Sequence, residues 1–446
     1  MNVVNHTPFP AQVFDAIDQY EQEFRVFVLR QTLDFSSGQL EYADTQAPLC
    51  DIDEYFGEDY AGSPRQESDY CPFKPKCDVI VNATAYAPAG KALTKFPVGL
   101  IVSRDGTRLI EKTLVVCGER FFQKHSAFVR LFQWCLKWGT LSLVRLNPWK
   151  LTSAAVFTSL PLRAEYSYGG QCRVEQEDRA SKRVPKRYRL TPEQLAEHPD
   201  TQASDKKPPA AHVSFDANAA GIGFATDWYL KATRCSRVLA PRIEHPDAKL
   251  TAKQFWRTQK SENKKASKLD SAGFGIRSKL HPDRLSFVGE VDDAFVNSSA
   301  PLPHGFDFEI WNAAPVDQQI ELLAGGDVVE LLNLCSLDTP NLLSTDRGHR
   351  SLSLVLPEHE CFIRLRGDGM NAYKSLLVDT VLIEPDSHAL TLVWRLAIPK
   401  HDCDDVALSE FRMRDFSERD RARSHIQGPL QPPAESHEAP DCVGVI

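Results

Sequence analysis

The sequence lacks any CxxC pair, although it contains 11 cysteines in 446 residues. The closest pair, Cys71 and Cys77, has no second close cysteine pair and no histidine pair near it. Structural zinc sites need such paired ligands, and scattered cysteines in a long chain without a signal peptide are typical of buried thiols. We therefore expect a protein that folds with reduced thiols and without a metal ion or another cofactor.

Long apolar runs and an excess of positive charge are also missing. No apolar run approaches the roughly 20 residues that span a bilayer, and the first residues lack the basic start and apolar core of a signal peptide. The formal net charge of −8 disfavours a general binder of nucleic acid or anionic membranes. We therefore expect a cytoplasmic protein that neither inserts into a membrane nor binds nucleic acid.

Sequence signatures of catalysis are weak. Gly221 and Gly223 form a lone Gly-x-Gly without the Gly-Lys-Ser/Thr of a phosphate-binding loop, and no nucleophile elbow occurs. Asp307 and Glu309 would share one face of a strand over Phe306–Ile310, as the two acids of a glycosidase can. The alternative is that these carboxylates lie on the solvent side of that strand. Binding rather than catalysis is therefore the first hypothesis, and an enzyme that uses Asp307 and Glu309 is the second.

Period-two alternation of apolar and polar residues between turn signals recurs along the chain. It predicts strands, two of them joined at Asp105-Gly106 and two on either side of the turn at Gly325-Gly326-Asp327. These strands are expected over residues 24–33, 39–42, 79–81, 97–103, 112–117, 306–310, 328–334, 376–384 and 389–396. The pattern predicts a mainly β protein whose two β-sandwich- or barrel-like lobes are joined by a loop-rich middle, with few short helices.

Composition divides the chain further. We expect an N-terminal β lobe over residues 1–170, a polar middle over 171–300, a C-terminal β lobe over 301–425 and a disordered, proline-containing tail over 426–446. A capping-box pattern predicts a short helix that begins at Thr191. For Phe121 to Trp138, helical apolar spacing competes with a strand, and the two interpretations stay open.

Two basic runs lie in the polar middle. The first contains Arg179, Lys182, Arg183, Lys186, Arg187 and Arg189, and the second contains Lys260, Lys264, Lys265 and Lys268. A charge run is usually a solvated face. The functional alternative is an electrostatic docking surface for an acidic partner.

Ordered motifs over about residues 20 to 400 resemble a family of proteins with a domain of unknown function, DUF2169, found beside type VI secretion genes. The first block, Pro-Phe-Lys-Pro-x-x-Asp, precedes an apolar strand, and the most distinctive block, Asn-Ala-Ala-Pro-x-Asp-Gln-Gln, follows a Gly-Phe-Asp. Ala219 departs from the family pattern, which has proline there. The matching residues are Pro72, Phe73, Lys74, Pro75, Asp78, Gly169, Gly170, Gly221, Gly223, Asp307, Asn312, Ala314, Pro315, Asp317, Gln318, Gln319, Gly325, Gly326, Asp379, Trp394 and Arg395.

The resemblance implies a function that the residues alone do not. Members of that family are regarded as adaptors or chaperones that bring a secreted effector to the VgrG or PAAR spike proteins. By resemblance, the partners would be such an effector and a spike protein, and a structural accessory of the secretion machine is a further alternative. The resemblance assigns no catalytic, cofactor-binding or metal-binding residue.

Overall fold

A computed structural model describes residues 2–57, 62–126, 129, 147–202, 206–259, 271–344, 348–367, 370–403 and 405–415. Over these residues the protein is mainly β with a few short helices, which confirms the predicted fold class. No helix among them is long and apolar enough to cross a membrane. The basic run Lys260, Lys264, Lys265 and Lys268, most of Phe121 to Trp138 and the predicted tail lie outside the described residues.

The strands follow in chain order. They are β1 (Asn2–Asn5), β2 (Ala11–Ile17), β3 (Glu23–Asp34), β4 (Glu41–Tyr42), β5 (Glu54–Tyr55), β6 (Pro64–Gln66), β7 (Cys77–Val81), β8 (Thr84–Tyr86), β9 (Lys95–Arg104), β10 (Thr107–Cys117), β11 (Phe121–Lys124), β12 (Trp149–Leu151), β13 (Ser159–Pro161) and β14 (Tyr168–Gly169). The remainder are β15 (Gln171–Glu175), β16 (Pro209–Ser214), β17 (Ile222–Gly223), β18 (Arg237–Leu239), β19 (Ile243–Glu244), β20 (Gln319–Ile320), β21 (Val328–Leu332), β22 (Leu343–Ser344), β23 (Arg350–Val355), β24 (His359–Gly367), β25 (Met370–Ser375), β26 (Leu377–Glu384), β27 (Ala389–Pro399) and β28 (Val406–Asp415).

The helices are short. The described α-helices are α1 (Pro192–Ala196), α2 (Pro199–Gln202), α3 (Asp227–Ala232), α4 (Ala252–Thr258), α5 (Pro282–Leu285) and α6 (Asp293–Val296). The 3-10 helices are Pro88–Gly90, Ala164–Tyr166, Ser181–Arg183, Lys186–Tyr188, Phe308–Trp311, Val316–Gln318, Pro385–Ser387 and Lys400–Cys403. The predicted capping box of α1 is confirmed, because Thr191 accepts the N–H of Gln194 and Gln194 accepts the N–H of Thr191.

Three larger sheets organise the structure. One has the strand order β2-β3-β27-β26-β7-β20, with β4 also paired to β3. A second has the order β19-β10-β9-β21-β23-β22, and a third has the order β1-β28-β24-β25. The predicted hairpin between β9 and β10 is confirmed, since Asp105 and Gly106 both have positive φ, as a tight two-residue turn requires.

Strands from both ends of the chain share these sheets. β7 pairs in parallel with β26 and antiparallel with β20, and β9 lies between β10 and β21. One core cluster accordingly contains buried residues from Phe9 to Phe411, and all three large sheets contribute to it. A separation into two β lobes is therefore not confirmed, although the mainly β class is.

The middle of the chain has a core of its own. Phe122 of β11 stacks on Phe255 of α4 with ring centroids 4.1 Å apart, and the Trp149 ring meets Phe255 edge-on at 5.1 Å. Trp228 of α3 and Val174 of β15 belong to the same cluster. Apolar burial of this kind is what holds a loop-rich segment in one arrangement.

The strand predicted over Phe306–Ile310 is wrong. Residues Phe308–Trp311 form a 3-10 helix, and the Asp307 carboxylate accepts the Glu309 backbone N–H at 2.8 Å. A short aspartate side chain that bonds the backbone two residues later favours a helix start over a strand. The predicted turn at Gly325-Gly326-Asp327 and the strand predicted after it are confirmed, because Gly326 has a φ of 85° and β21 begins at Val328.

Candidate functional site

The family-motif residues from three distant segments meet around one buried carboxylate, that of Asp78. Asp78 lies in β7 and is fully buried. It accepts hydrogen bonds from the backbone N–H groups of Ala313 (2.9 Å) and Ala314 (3.3 Å) and from the side-chain amide of Asn312 (3.1 Å). The Asn-Ala-Ala-Pro motif therefore forms a loop that satisfies the hydrogen-bonding capacity of this carboxylate. We call Asp78, Lys74 and residues Asn312, Ala313 and Ala314 the Asp78 cluster.

Lys74 supplies the positive charge of the Asp78 cluster. Its Nζ lies 3.0 Å from Asp78 Oδ2 and donates to Thr380 Oγ1 at 2.9 Å. Burial lowers the pKa of Lys74, but the attraction of the Asp78 carboxylate, its hydrogen bond and the smaller effects of Cys71 and Asp379 together outweigh burial and leave that pKa above its ordinary value. The lysine therefore acts as the countercharge of the buried Asp78 carboxylate.

The second half of the motif connects two sheets. Lys112 of β10 donates to Asp317 Oδ1 at 2.8 Å and to Gln318 Oε1 at 2.7 Å. The Gln318 amide then donates to the carbonyl oxygens of Val79 (2.7 Å) and Phe274 (2.8 Å). Gln319 bonds the Ala314 carbonyl within the same loop. These side chains bind neighbouring segments of the chain, which accounts for Asp-Gln-Gln as a structural motif.

The closing motif residues form a second buried ion pair. Arg395 of β27 donates to Asp379 Oδ2 at 2.5 Å and to the carbonyl oxygens of Asp69 and Cys71 at 2.8 and 2.7 Å. Beside it, Arg30 donates to Asp69 Oδ2 at 2.8 Å. These groups border a cavity of about 20 Å³, which has room for roughly one water molecule.

The chemistry of this interior is that of paired charges. Burial raises the pKa of the neighbouring Cys71 thiol to about 11, so the thiol stays protonated near neutral pH. The carboxylates and cations of the clusters are bonded to one another or to main-chain groups. The motif residues around Asp78 and Arg395 therefore hold segments together, and the geometry gives them no nucleophile to activate.

The glycine motifs mark a close backbone approach. Gly169 and Gly223 pair in parallel between β14 and β17. A Cβ on Gly170 would lie 2.7 Å from the Gly221 carbonyl oxygen, and Gly170 has a φ of +117°. Gly325 likewise leaves no room for a side chain, because a Cβ there would lie 2.8 Å from the backbone of Glu358.

The remaining motif residues pack around these clusters. The Phe73 ring, which follows Pro72 and precedes Pro75, meets the Phe308 ring edge-on at 6.0 Å. The Trp394 Nε1–H donates to Gln31 Oε1 at 3.1 Å. These contacts place the motif aromatics in packing roles.

The two carboxylates of the enzyme hypothesis do not form a pair on a strand. Asp307 caps the 3-10 helix Phe308–Trp311, as described above, and Glu309 Oε1 lies 3.6 Å from Lys76 Nζ. Both carboxylates have structural partners, and nothing in their placement recommends an acid–base role.

The first basic run is exposed, as predicted. It folds into two consecutive 3-10 helices, Ser181–Arg183 and Lys186–Tyr188, that turn its cations outward. We call the surface of Arg179, Lys182, Arg183, Lys186 and Arg187 the basic face; Arg189 is also exposed, but it donates to the carbonyl oxygens of Val184 and Ser181. Among the described residues, Arg179, Lys182 and Lys186 form no ion pair or side-chain hydrogen bond. Val184 and Ala180 anchor the face in the second core.

Two members of the basic face also have structural contacts. Arg183 Nε donates to the Ala232 carbonyl oxygen at 2.6 Å, at the C-terminal end of α3. Arg187 donates to the Tyr188 hydroxyl at 2.7 Å, and its guanidinium lies 4.7 Å from the centre of that ring. The charges of Arg179, Lys182 and Lys186 are therefore the ones left for a partner.

A basic groove that sequence reasoning missed lies next to this face. Its volume is about 510 Å³. We call it the Arg234 groove; it is lined by Lys124, His125, Ser126, Leu230, Lys231, Arg234 and Ser236. Arg183 links the groove to the basic face, because its bond to Ala232 reaches the chain between Lys231 and Arg234. The cations come from segments about 110 residues apart, so no charge run in the sequence announces them.

No group of His, Cys, Asp and Glu side chains in the described parts of the chain could hold a metal ion. The described cysteines are free thiols, and all except the half-exposed Cys235 are buried. Burial raises the pKa of the Cys50, Cys335 and Cys361 thiols to about 12 each. That placement matches the buried, unreactive thiols expected from the scattered spacing.

Comparison with known proteins gives one finding. No curated protein and no solved structure matches the chain. The model of one family, described as an uncharacterized protein conserved in bacteria (DUF2169), matches residues 21–395. This range contains all the motif residues discussed above and most of the sequence. The chain therefore belongs to the bacterial family of uncharacterized proteins DUF2169.

Proposed function

We propose that the protein acts in the cytoplasm by binding, as a non-enzymatic adaptor or chaperone that holds a type VI secretion effector and helps load it onto a VgrG or PAAR spike. The identity of these partners comes from the resemblance of the motif blocks to proteins encoded beside type VI secretion genes. The observation that carries a binding role is the basic face, where Arg179, Lys182 and Lys186 stand exposed without acidic partners in the described residues.

The uneven distribution of charge along the chain supports this proposal. The chain has a net charge of −8, yet residues 179–189 contain six basic and no acidic side chains. Glu177 and Asp178 come just before this run. The Glu177 carboxylate lies 3.0 Å from Lys207 Nζ, so it is paired with a cation outside the run. A local positive surface on an acidic protein selects a partner whose own surface is acidic at one place.

The buried motif clusters support the same proposal from the other side. The side chains of Asp78, Gln318 and Arg395 form hydrogen bonds with the protein's own backbone. These bonds rigidify the sheets that carry exposed loops. Recognition residues are commonly carried on loops of such a rigid scaffold. A fold built this way suits a binding protein whose family motif specifies shape while its surface specifies the partner.

The test is a comparison of the effector in strains with and without this gene. The adaptor role predicts that the effector encoded nearby co-purifies with the protein, and that its cytoplasmic level and its secretion fall when the gene is deleted. An effector that is equally stable, equally loaded on the spike and equally secreted in the deletion strain would rule the role out. Recovery of the protein itself in purified spike or sheath preparations would instead favour a structural accessory.

A further inference from the structure

We propose that the Arg234 groove is a binding site for carboxylate side chains of an acidic peptide segment, contributed by the protein partner. The inference deepens the proposed function and rests on it for the source of that segment. The groove, at about 510 Å³, falls within the roughly 300–1,000 Å³ typical of ligand clefts. Its lining offers hydrogen-bond donors from two directions, the end of β11 and the end of α3.

Two of the cationic side chains have partners within the protein. Lys124 Nζ donates to the Cys235 carbonyl oxygen at 2.9 Å and lies 5.1 Å from the centre of the Trp149 ring. Lys231 pairs with Asp227 one helical turn earlier at 2.5 Å. The contacts of Lys124 hold the β11 side of the groove in place, which lowers the entropy lost when a ligand binds, whereas the Lys231–Asp227 pair on α3 is exposed.

The other two donors have no such contacts. The side chains of His125 and Arg234 form no hydrogen bond or ion pair with the described residues. The guanidinium of Arg234 is exposed at the groove. An arginine fork of this kind matches the two oxygens of a carboxylate, and the imidazole N–H can donate to a second one.

The backbone at Arg234 also sets it apart. The residue follows the last turn of α3 and has a φ of 59°, a left-handed conformation that helices usually reserve for glycine or asparagine after their end. A cation near a helix C-terminus also complements the helix dipole, which would explain Lys231 and Arg234 alone. The helix dipole does not explain Lys124 of β11 or the adjoining His125. It also does not explain the concave shape between the end of β11 and the end of α3.

The chemistry favours an acidic peptide over a nucleic acid. The overall charge of −8 repels an extended polyanion, whereas a short acidic segment meets only the local positive surface. Arg183 connects the groove to the basic face, so a segment of several acidic residues could cross from Arg234 to Lys182. Leu230 adds one apolar contact for the methylene groups of a glutamate.

The experiment measures fluorescence anisotropy of a labelled decaglutamate peptide with the full chain. Arg234→Gly removes the guanidinium but suits the positive φ, so it should fold as well as the wild type while binding the peptide at least about fivefold more weakly. Arg234→Lys should recover part of the affinity. Lys374→Gln, which removes an exposed lysine of β25 that has no ion pair within the described residues, is the control for loss of one charge and should change affinity less than about twofold.

Each outcome decides the matter. Equal peptide affinity in Arg234→Gly and in the control, with both variants folded by circular dichroism, overturns the proposal. An oligothymidylate of the same length that binds more tightly than decaglutamate, and loses binding in Arg234→Gly, also overturns it in favour of a phosphate site. Peptide binding at the groove together with normal effector secretion in the deletion strain would leave this site standing while the adaptor role fails.

Discussion

Single buried residues carry much of this fold, and Asp78 is the clearest. Its carboxylate neutralises Lys74, whose side chain is 8% exposed, and it accepts two backbone N–H groups of the Asn-Ala-Ala-Pro loop. That one side chain joins two segments about 235 positions apart in sequence, and Lys74 extends the contact to Thr380. Replacing it leaves a buried ammonium without its countercharge, which is costlier than losing the attraction alone.

Asp78→Asn should therefore lower the free energy of unfolding by roughly 3–5 kcal/mol, the cost typical of breaking a buried pair by removing one partner. Urea or guanidinium denaturation followed by tryptophan fluorescence measures it. Asp15→Asn is the matched control. The Asp15 carboxylate, which pairs with Arg25, is 45% exposed, so the loss in free energy of unfolding should stay below about 1 kcal/mol. Similar small losses in free energy of unfolding in both variants would show that Asp78 does not hold the two segments together as we describe.

A second residue-scale feature is a chain of two imidazoles, His198 and His212, that ends at Gln171 of β15. His212 Nε2 lies 2.9 Å from Gln171 Oε1, His198 Nε2 lies 2.8 Å from His212 Nδ1, and the Asp200 backbone N–H points at His198 Nδ1 at 3.2 Å. The distances let each ring donate from Nε2 and accept at Nδ1. A proton added at either Nδ1 removes an acceptor that the chain uses.

Burial, then the neighbouring charges of His198 and Arg173, lower the pKa of His212, against a smaller opposing effect of Asp200. A base with a lowered folded-state pKa takes up its proton first in the unfolded chain, so stability is full above the ordinary value near 6.5 and is lost as the pH falls below it. His212→Gln should flatten that loss, which denaturation midpoints between about pH 7.5 and 5.5 would reveal. An unchanged pH slope would contradict the shift.

At the residue scale, sequence reasoning singled out Asp78, Gln318 and Arg395 through their motif, but it did not predict their contacts. Several of those contacts join residues more than 230 positions apart, as Gln318 does with Val79, and local patterns contain no such pairing. The groove donors Lys124 and Arg234 were missed for the same reason. The exposed cations of residues 179–187 were predicted, since exposure of a charge run follows from composition alone.

At the scale of single elements, local sequence signals succeeded where the backbone decides the conformation. The Asp105-Gly106 turn, the α1 capping box and the paired glycines all behave as their residue types dictate. Over Phe306–Ile310 the alternation of phenylalanines with acids predicted a strand. There the aspartate bond to the backbone and the packing of Phe308 against Phe24 and Phe73 produced a helical turn instead.

The paired strands β14 and β17 give the element-scale prediction. Gly170→Ala places a Cβ 2.7 Å from the Gly221 carbonyl oxygen in a φ of +117°, so stability should fall by about 1–3 kcal/mol or more. Gly273→Ala is the control, because a Cβ there has no neighbour within 4 Å and the residue has no positive φ. The control should be neutral or slightly stabilising. Equal thermal midpoints for both variants would argue against close packing of β14 on β17.

For the whole molecule, the sequence predicted the β class but not the sharing of sheets between the two ends of the chain. β7 lies between β26 and β20, and β9 lies between β10 and β21, so neither end forms its large sheet alone. Strand patterns give the existence of strands, whereas partners several hundred residues away depend on the global arrangement. The second core around Phe255 and Trp228 gives the middle of the chain a support that its polar composition concealed.

The last prediction concerns the surface charge of the whole molecule. Charge reversal of Arg179, Lys182 and Lys186 to glutamate should slow association with the effector by about tenfold at low salt and make the rate less sensitive to salt, because attraction at a distance speeds encounter. Arg183 and Arg187 are left intact because each bonds the protein itself. Stopped-flow or surface plasmon resonance over a range of salt concentrations measures both effects.

The matched control reverses Lys91, Lys249 and Lys374, which are exposed and without ion pairs in the described residues, so the net charge changes equally in the two variants. Stability should shift by no more than about 0.5 kcal/mol in either, since solvated charges contribute little to folding. Equal slowing in both variants would mean that net charge alone governs the encounter, and the basic face would lose its role. Slowing confined to the first variant, and abolished at high salt where charges are screened, places the docking surface on residues 179–187.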